Sequence, residues 1–403
     1  MLTKLGHLTY CTNIHVGESW SAHLEALKFN FPMIKKEMSP LHPMGIGLRL
    51  SNEASIELRQ GRHLQEFKDW LAAEGAYVFT MNGFPYGEFH HTVVKDDVHS
   101  PDWTTEKRVS YTLRLVELLA ELLPGDMDGG ISTSPLSYRH WFQTAEDKQH
   151  AMKIATENIL KVVVKMNKLN MRTSQIIHLD IEPEPDGLLE TGIEFIEWYT
   201  DFLIPMGVDY FTRELGISAG EAVRIVKRHV RLCYDICHFA LGYEDHASVI
   251  KKLAVEDIKI GKFQVSAALK AKIPRNDGER TLIASAFADF DEPTYLHQVI
   301  AQNADGSLIR YRDLPQALEA IDEESVKEWR AHFHVPIFEQ NYGLLESTQA
   351  DIVEVLAIQR EHNLSPHLEV ETYTWGVLPT ELKIAMHRSI IRELDWVWGL
   401  INK

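Results

Sequence analysis

Hydrophobic residues along the chain fall into two alternating patterns. Short runs rich in Val, Ile and aromatic residues, bounded by Gly, Pro or polar residues, are typical of β-strands. The stretches between them repeat their apolar residues at helical spacing, as in 54–75, 110–124 and 153–170. Nine runs are strand candidates: 7–15, 45–51, 76–83, 129–135, 176–183, 230–238, 261–269, 331–338 and 367–375.

The alternation of strand and helix predicts a parallel sheet flanked by helices. Eight such units closing on themselves make a TIM barrel, which needs about 250 residues and leaves a surplus in a chain of 403. We therefore predict an α/β fold, a TIM (β/α)8 barrel. Because a barrel uses eight strands, one candidate is extra. Without 331–338, the spacing between neighbouring strands up to the insertion matches the usual length of a strand–helix unit, so we expect 331–338 to lie outside the barrel.

The surplus lies between the seventh and eighth predicted barrel strands, where residues 270–330 are read as an insertion. It contains a predicted hairpin that turns at Asp305 and Gly306, and a predicted helix over 314–329. No internal repeat and no linker rich in Gly and Ser divides the chain. Residues 1–403 are therefore expected to form a single TIM-barrel domain with this insertion.

The insertion has two candidate roles, a lid over the barrel mouth or a contact between two copies of the chain. The second role makes a homo-oligomer one expectation. An anionic substrate is another, because arginines that could clamp it are grouped here in a chain that is otherwise acidic. These are Arg275, Arg280, Arg310 and Arg312.

Composition and charge narrow the class of partner. Hydrophobic residues make up 45% of the chain and charged residues 25%, which is ordinary for a globular protein. The net charge of −17 argues against a phosphate-binding surface, so we expect a small-molecule substrate and no nucleic acid. Apolar runs fall short of the roughly 20 residues that cross a bilayer, and the start lacks a leader pattern. We expect no membrane insertion and a cytoplasmic location.

The cysteines are three in number, Cys11, Cys233 and Cys237, and lie in or beside apolar strand-like runs. They are too few to cross-link a fold of this size. We interpret them as buried thiols, with a zinc site as the alternative.

Polar residues are abundant at the carboxyl ends of the predicted strands. In a TIM barrel these ends share one mouth, where polar side chains are candidates for binding and catalysis. They include Asn13, His15, Arg49, Asn82, Ser132, Ser134, Glu182, Glu184, Asp235, His238, Gln264, Ser266, Glu371 and Trp375. The residues predicted to contact substrate are His15, Arg49, Asn82, Glu184, His238, His332, His334 and Trp375.

Acids are grouped at several of these strand ends. Strand side chains alternate, so Asp180 and Glu182 share a face, as do Glu369 and Glu371. Three carboxylates that converge on one opening repel one another unless a positive charge lies between them. Oxygen donors favour manganese or magnesium, and open coordination positions would let a substrate chelate. We therefore predict a divalent metal cofactor, which could be Mn, Mg, Zn or Co.

The pattern of these strand ends resembles a known family. The Glu182-Pro turn, the element from Asp235 to His238, a polar residue in the next strand and Glu371 look like the xylose-isomerase-like TIM barrels, the sugar isomerase and epimerase superfamily. The resemblance implies that Glu182 and Glu371 are catalytic and shuttle the proton, and that His238 touches substrate oxygens. It implies four metal ligands, which are Glu182, Asp235, Gln264 and Glu371.

The third of these ligands departs from the common family pattern. Many members have His where this chain has Gln264, although some similar proteins use Gln. His332 and His334 could replace the amide, so two ways of completing the metal site are open.

A closer resemblance covers more of the chain. Members of the EboE-type metabolite-traffic proteins, which are bacterial xylose-isomerase-like barrels, are similar to it in several segments. These are LTYCTNIHVGESW, HLDIEPEPDG, YDICHFA, QVSAAL, WRAHFHVPIF and HLEVETYTWGVLP. That family is implicated in moving a small-molecule precursor, so the resemblance implies a barrel that handles a small metabolite.

Functions from different classes fit these residues. In the first, Glu182 and Glu371 remove and return a proton on a metal-chelated polyhydroxy carbonyl compound, which makes the protein an isomerase or epimerase. In the second, the same pocket binds and carries a metabolite without turnover. A phosphoesterase resembling endonuclease IV is a third alternative, which the net charge of −17 disfavours. A structural scaffold would leave the strand-end acids unexplained.

The same residues also have structural interpretations. Glu182 and Glu184 could be solvated acids in a loop stiffened by proline, and Gln264 a buried amide bonded to backbone. Glu369 is expected to be a buried acid paired with an arginine from the barrel interior, such as Arg49.

Overall fold

The structure, a computed structural model that describes residues 1–87, 94–373 and 384–403, has the predicted α/β TIM barrel. Parallel strands pair in chain order, and the eighth pairs with both the seventh and the first. A short strand, Leu2–Thr3, adds to the first in antiparallel orientation. The barrel strands are Gly6–Tyr10, Met44–Arg49, Ala76–Asn82, Gly129–Thr133, Ile177–Ile181, Val230–Asp235, Ile260–Val265 and His367–Val370.

The barrel closes between its first and second strands through a side chain as well as backbone. Cys11 and Gly47 form a parallel bridge. Thr9 extends this seam, because its Oγ1 donates to the carbonyl oxygen of Gly45 at 2.8 Å and accepts from the Gly47 amide at 3.1 Å. The carboxyl ends of the strands therefore open on one shared mouth.

Helices cover the outside of the barrel and pack their apolar faces on the strands. The helical spacing over 54–75 is divided between two helices, which are separated by a turn where Gly61 takes a left-handed φ of +52°. In the described part of the chain, no helix is long and apolar enough to cross a membrane. The outer helices are Trp20–Met38, Asn52–Glu57, His63–Glu74, Glu106–Leu122, Ala145–Thr173, Gly192–Trp198, Ile204–Leu215, Ala219–His229, Ile236–Leu241, His246–Val255, Gln349–His362 and Met386–Ile401.

Between the seventh and eighth barrel strands the chain forms a second sheet that is antiparallel throughout, which confirms an insertion at this place. The predicted hairpin is confirmed, with Gly306 at a φ of +88° in its turn. The helices Asp277–Ala288 and Leu314–Glu319 belong to the same insertion. In spatial order the strands are Leu308–Tyr311, Val299–Asn303, Val326–Ala331, Leu269–Lys272, Leu345–Ser347 and Asn341–Tyr342.

The helix predicted over 314–329 is wrong in its second half. It ends at Glu319, and the last four residues of the predicted range belong to the strand Val326–Ala331. That strand pairs on one side with Val299–Asn303 and on the other with Leu269–Lys272. Pairing on both edges outweighs local helix propensity, which is a weak preference. The candidate strand 331–338 lies outside the barrel, as predicted, and only Ala331 of it is in a strand.

Glycines make room for acids inside the barrel. A Cβ on Gly47 would overlap the carboxylate of Glu369, and a Cβ on Gly130 or Gly261 would overlap that of Asp180. Both acids are fully buried, so their side chains cannot turn away into solvent. These three positions therefore need the smallest residue because of close approach.

Gly261→Ala should lower the free energy of unfolding by about 1–3 kcal/mol, the usual cost of overpacking an interior. Gly399→Ala is the matched control, because this exposed glycine lies in the helix Met386–Ile401 with nothing within 4 Å of an added Cβ. The control should stabilise by up to about 1 kcal/mol through helix propensity. Urea unfolding measures both effects, and a Gly261→Ala protein as stable as the wild type would contradict the close approach.

Candidate metal centre

Three of the predicted metal ligands meet at the mouth of the barrel. Glu182 follows the fifth strand, Asp235 ends the sixth and Glu371 follows the eighth. Each offers a carboxylate oxygen within 4.8 Å of the other two. All three side chains are buried, and Asp235 also caps the helix Ile236–Leu241 by accepting from the amide of His238 at 3.2 Å.

Glu371 is held by three amide side chains. Its Oε1 accepts from Asn13 Nδ2 at 2.7 Å and from Asn82 Nδ2 at 2.9 Å, and its Oε2 accepts from Gln264 Nε2. The amide oxygen of Gln264 accepts from the thiol of Cys233 at 2.5 Å. Gln264 thus orients Glu371 in this arrangement, and a half-turn of its amide would present the oxygen to the carboxylates instead. Its predicted role as a metal ligand stays a prediction.

The carboxylates perturb one another because they are close together and out of water. Burial raises the pKa of Glu182 well above its ordinary value, and the charges of Glu371 and Asp235 raise it further. The pKa of Glu371 is also raised, first by burial and then by Asp235. Burial acts to raise the pKa of Asp235 too, but His238 and a hydrogen bond from Ser266 Oγ at 2.6 Å help to lower it.

The arrangement fits a divalent cation. Among residues 1–87, 94–373 and 384–403, no hydrogen-bond donor reaches Glu182 Oε2 or Asp235 Oδ2, although both atoms are buried. Buried carboxylate oxygens without donors are costly, whereas a cation shared by three carboxylates would compensate them. Three oxygen donors of this kind suit Mn²⁺ or Mg²⁺.

The loop that carries Glu182 is fixed through its prolines. Pro183 and Pro185 have no N–H, but their carbonyl oxygens accept from His238 Nδ1 at 2.9 Å and from Gln298 Nε2 at 3.2 Å. His238 Nδ1 also lies 3.8 Å from Glu182 Oε1. The residues 182–185 are therefore anchored to the sixth strand end and to the insertion, which positions Glu182 at the mouth.

A small cavity lies over the carboxylates. Its volume is about 40 Å³, which is enough for a cation with one or two water molecules. A larger cavity of about 860 Å³ lies at the opposite end of the barrel, but it is mainly apolar and includes none of these acids. The chemistry therefore points to the smaller one. The predicted site residues that line it are Asn82, Glu182, Glu184, His238, His332, His334 and Glu371.

Other side chains that line this cavity were not among the predicted contacts. Asn13 was identified only as a polar strand end, and it now proves to bind Glu371. Apolar residues such as Phe84 and Val98 carry no chemical signal in a sequence, so their position over the acids could not be predicted. The full set of unpredicted residues that line the cavity is Asn13, Phe84, Pro85, Val98 and Tyr373.

His15 and Arg49 do not line the cavity. Arg49 makes two hydrogen bonds of 3.1 Å to the carboxylate of Glu18, and His15 Nε2 lies 3.1 Å from the hydroxyl of Tyr10. Their predicted contact with substrate stays a prediction. Trp375 lies outside the described residues.

The expectation that Glu369 pairs with an arginine such as Arg49 is wrong. Glu369 forms its ion pair with Lys262 of the seventh strand, and both side chains are fully buried. Burial acts to lower the pKa of Lys262, but the charge of Glu369, its hydrogen bond and the neighbouring thiols together raise that pKa above its ordinary value. The partner of Glu369 is therefore a lysine from a neighbouring strand and not an arginine.

In the part of the chain that the structure describes, the arginines of the insertion do not reach the cavity. Arg280 donates to the carbonyl oxygen of Pro274 at 2.6 Å, and Arg310 pairs with Glu190 at 2.7 Å. None of Arg275, Arg280, Arg310 and Arg312 lines the space over the carboxylates. A clamp for an anionic substrate stays a prediction.

The three cysteines are buried free thiols, as predicted. Cys237 Sγ donates to the carbonyl oxygen of Phe333 at 3.7 Å. It also lies within 4.8 Å of ligand atoms of His332 and His334, which keeps the alternative of a zinc site open.

Comparison with known proteins finds solved structures that are similar to this chain. A scan against protein-family models and a search of curated proteins gave no match. The chain is similar to a solved IolI protein "with a binding zinc atom", with 11% identity, a TM-score of 0.49 and 98% of each chain covered. It is also similar to a xylose isomerase-like TIM barrel protein from Mycobacterium smegmatis in complex with magnesium, with 10% identity, a TM-score of 0.48, and 95% of this chain and 89% of that chain covered.

A D-tagatose 3-epimerase-like protein is a further similar structure, with 10% identity, a TM-score of 0.47, and 98% of this chain and 97% of that chain covered. The barrel assignment itself follows from the strand pairing described above.

Proposed function

We propose that the protein is a divalent-metal-dependent isomerase or epimerase that acts on a small polyhydroxy carbonyl compound. The observation that carries the proposal is the convergence of Glu182, Asp235 and Glu371, three buried carboxylates from three strand ends, beside one cavity. Such a set can hold a divalent cation and leave coordination positions for a chelating substrate. It also puts two glutamates beside the bound compound.

Glu182, Asp235 and Glu371 would hold the cation, with Gln264 or His334 completing the set. When bound, the cation would supply Lewis acidity that polarises the substrate carbonyl and stabilises the negative charge that develops there. Oxygen ligands alone favour Mn²⁺ or Mg²⁺, whereas an imidazole from His334 would favour Zn²⁺ or Co²⁺.

The two glutamates would transfer the proton. Burial raises the pKa of both glutamates well above the ordinary value of a carboxyl group, which makes each a stronger base once it is ionised. Glu371 is fixed in orientation by Asn13, Asn82 and Gln264. Glu182 Oε2 accepts no hydrogen bond from the described residues, so it is not committed to another donor. In this proposal one ionised glutamate removes the substrate proton, and the other glutamate, which is protonated, donates its own proton on the opposite side.

Other residues of the site would bind the substrate and exclude water. His238 lines the cavity beside Glu182 and could contact substrate oxygens. The side chains of Phe84, Val98 and Tyr373 line the same cavity, where they would limit the access of water to the acids. Because the cavity is only about 40 Å³, a polyhydroxy compound can enter only if some of these side chains move.

The finer assignments come from the sequence. The resemblance suggests the EboE-type metabolite-traffic family. The sequence pattern suggests a cytoplasmic location and a single domain whose insertion is a lid or a contact between copies. A carrier that binds the same metabolite without turnover is the competing outcome of the test.

The test incubates the protein, loaded with Mn²⁺ or Mg²⁺, with a panel of ketoses, 2-oxo acids and polyols in D₂O. Proton NMR should show loss of the substrate α-proton or interconversion to an isomer for at least one compound, and a chelator should stop it. A metal-loaded protein that binds a compound but never exchanges its proton would contradict catalysis and favour the carrier.

A further inference from the structure

The cavity over the carboxylates has apolar side chains in its outer wall. Val98 and Tyr373 line the cavity, and they pack on a small buried cluster made by Val94 and Tyr295. The rings of Tyr295 and Tyr373 meet edge to face, with their centroids 5.3 Å apart. Among the described residues these four side chains form an apolar cluster of their own, beside the main core of the barrel.

Two members of this cluster belong to one short stretch, residues 94–98, which we call the cover segment. Its first two residues lie against the insertion. The amides of Val94 and Lys95 donate to the carbonyl oxygen of Thr294 at 2.7 and 3.0 Å. Lys95 Nζ also forms an ion pair with Asp313 Oδ2 at 2.6 Å. One end of the cover segment is therefore held by the insertion.

The carboxylate of Asp313 is a fixed part of the insertion. Its Oδ1 accepts from the amide of His297 at 3.0 Å and from that of Leu314 at 3.1 Å. The second of these bonds caps the helix Leu314–Glu319. Lys95 therefore pairs with an acid whose position does not depend on the cover segment.

The other end of the cover segment is fixed to the barrel. His99, the next residue, is fully buried, and its ring packs against those of Phe84 and Tyr138, at centroid distances of 5.5 and 5.1 Å. Residues 95–98 are half-buried or exposed, and Asp96 accepts an exposed hydrogen bond from Trp141 Nε1 at 2.8 Å. A movement of the cover segment away from the insertion would leave His99 as its fixed end.

The contacts that hold the cover segment are of a kind that local opening breaks. Local stability is low where few apolar side chains are buried and the polar contacts are near solvent. In the ion pair, 27% of the Lys95 side chain and 19% of the Asp313 side chain are exposed, so water and salt screen it. Opening is needed for entry, because a cavity of about 40 Å³ is far below the roughly 300 Å³ of a small-molecule pocket.

We propose that residues 94–98 are a gate that opens to admit the substrate, and that the ion pair between Lys95 and Asp313 is the latch that keeps it closed. Opening would remove Val98 from the wall of the cavity and uncover the carboxylates. The inference rests on the proposed function in one respect, which is that a small compound has to reach these carboxylates. It adds the entrance to the site and the contact that controls it.

Hydrogen exchange tests the gate without substrate or metal. The amides of Val94 and Lys95 are the reporters, because both donate to Thr294 and lose this acceptor when the gate leaves the insertion. Asp313→Asn and Lys95→Gln each remove one charge of the latch, and Asp313→Asn keeps an oxygen that can cap the helix. Exchange of the Val94 amide, measured by NMR, should accelerate about 2–5-fold in either variant, the range for a partly exposed ion pair.

Two controls separate the gate from the rest of the insertion. Lys270→Gln removes a different ion pair, with Glu346 of the insertion sheet, and should leave the Val94 amide unchanged. The amide of Ile273 donates to the carbonyl oxygen of Lys327 at 2.8 Å and should exchange at the wild-type rate in every variant. Unchanged Val94 exchange in both latch variants would overturn the latch. Equal acceleration of Ile273 would overturn the gate, because the whole insertion would then be opening.

Metal release connects the gate to the site. After loading with Mn²⁺, Asp313→Asn should release the ion to EDTA faster than the wild type, by the same factor as its amide exchange. Faster amide exchange with unchanged release would overturn the role of the segment as an entrance. A wild-type protein that holds no Mn²⁺ would count against the carboxylate centre and the proposed reaction, and the amide exchange would still decide whether the gate opens.

Discussion

Replacing Glu371 by glutamine should lower the rate of substrate α-proton exchange with D₂O by about 10²–10⁴-fold, the contribution of a positioned general base. The amide cannot accept the proton. The NH₂ group of the new amide would also replace one of the two oxygens that now accept hydrogen bonds from Asn13, Asn82 and Gln264. Exchange is measured by proton NMR on the first substrate that the panel identifies.

Metal content measured on the same sample separates two reasons for the loss. If Glu371→Gln retains its metal and loses exchange, Glu371 transfers the proton; if it loses both, Glu371 is a metal ligand and the loss of metal accounts for the loss of exchange. Glu346→Gln is the control, since this exposed carboxylate lies in the insertion sheet and should leave exchange unchanged. Undiminished exchange in Glu371→Gln would contradict the proposed mechanism.

Lys262→Met should lower the free energy of unfolding by about 3–5 kcal/mol, because it leaves Glu369 buried without its counter-ion. Both partners of this ion pair are fully buried among the acids of the barrel interior. The double variant Lys262→Met, Glu369→Gln removes both charges, and we expect it to recover most of the loss.

Urea unfolding of the wild type, Lys262→Met and the double variant gives the three free energies. A double variant as unstable as Lys262→Met would show that the loss comes from packing and not from the unpaired charge. The charge of Lys262 also lowers the pKa of Glu182 and Glu371, although burial and neighbouring acids outweigh it. The single variant should therefore raise both pKa values further and shift any pH profile of exchange upward.

The convergence of the acids could be predicted because two simple rules apply to it. Strand side chains alternate, and the carboxyl ends of barrel strands share one mouth. Together these rules put Glu182, Asp235 and Glu371 among the polar residues of the mouth, and the family resemblance selected them as one set; the structure brings their oxygens within 4.8 Å of one another. The same rules identified Asn82, which binds Glu371.

The approach of His332 and His334 to His238 was harder to predict because it depends on long-range pairing. His332 and His334 reach His238 because the strand before them, Val326–Ala331, pairs with Leu269–Lys272 and so returns the chain to the mouth. A local pattern carries no information about that pairing, and it favoured a helix over four of the six residues of the strand. The sequence indicated His332 and His334 as candidate ligands or substrate contacts but not which residues they contact.

The burial of Lys262 inside the barrel could not be predicted from the sequence either. The alternation of the seventh strand places Lys262 on the face of Gln264, yet a lysine in a strand is usually solvent-exposed. Gly47 and Gly261 give the buried acids their space, and only the neighbouring strands reveal why these positions are glycine. Partners inside a closed barrel depend on register across strands, which one sequence does not specify.

The central claim is that Glu182, Asp235 and Glu371 hold one divalent cation at the mouth of the barrel. Crystals grown with Mn²⁺ and measured for anomalous scattering test it most directly. The account predicts an anomalous peak within coordination distance, about 2.0–2.6 Å, of an oxygen of each of the three carboxylates. Ordered carboxylates in Mn²⁺-soaked crystals with no peak between them would contradict it.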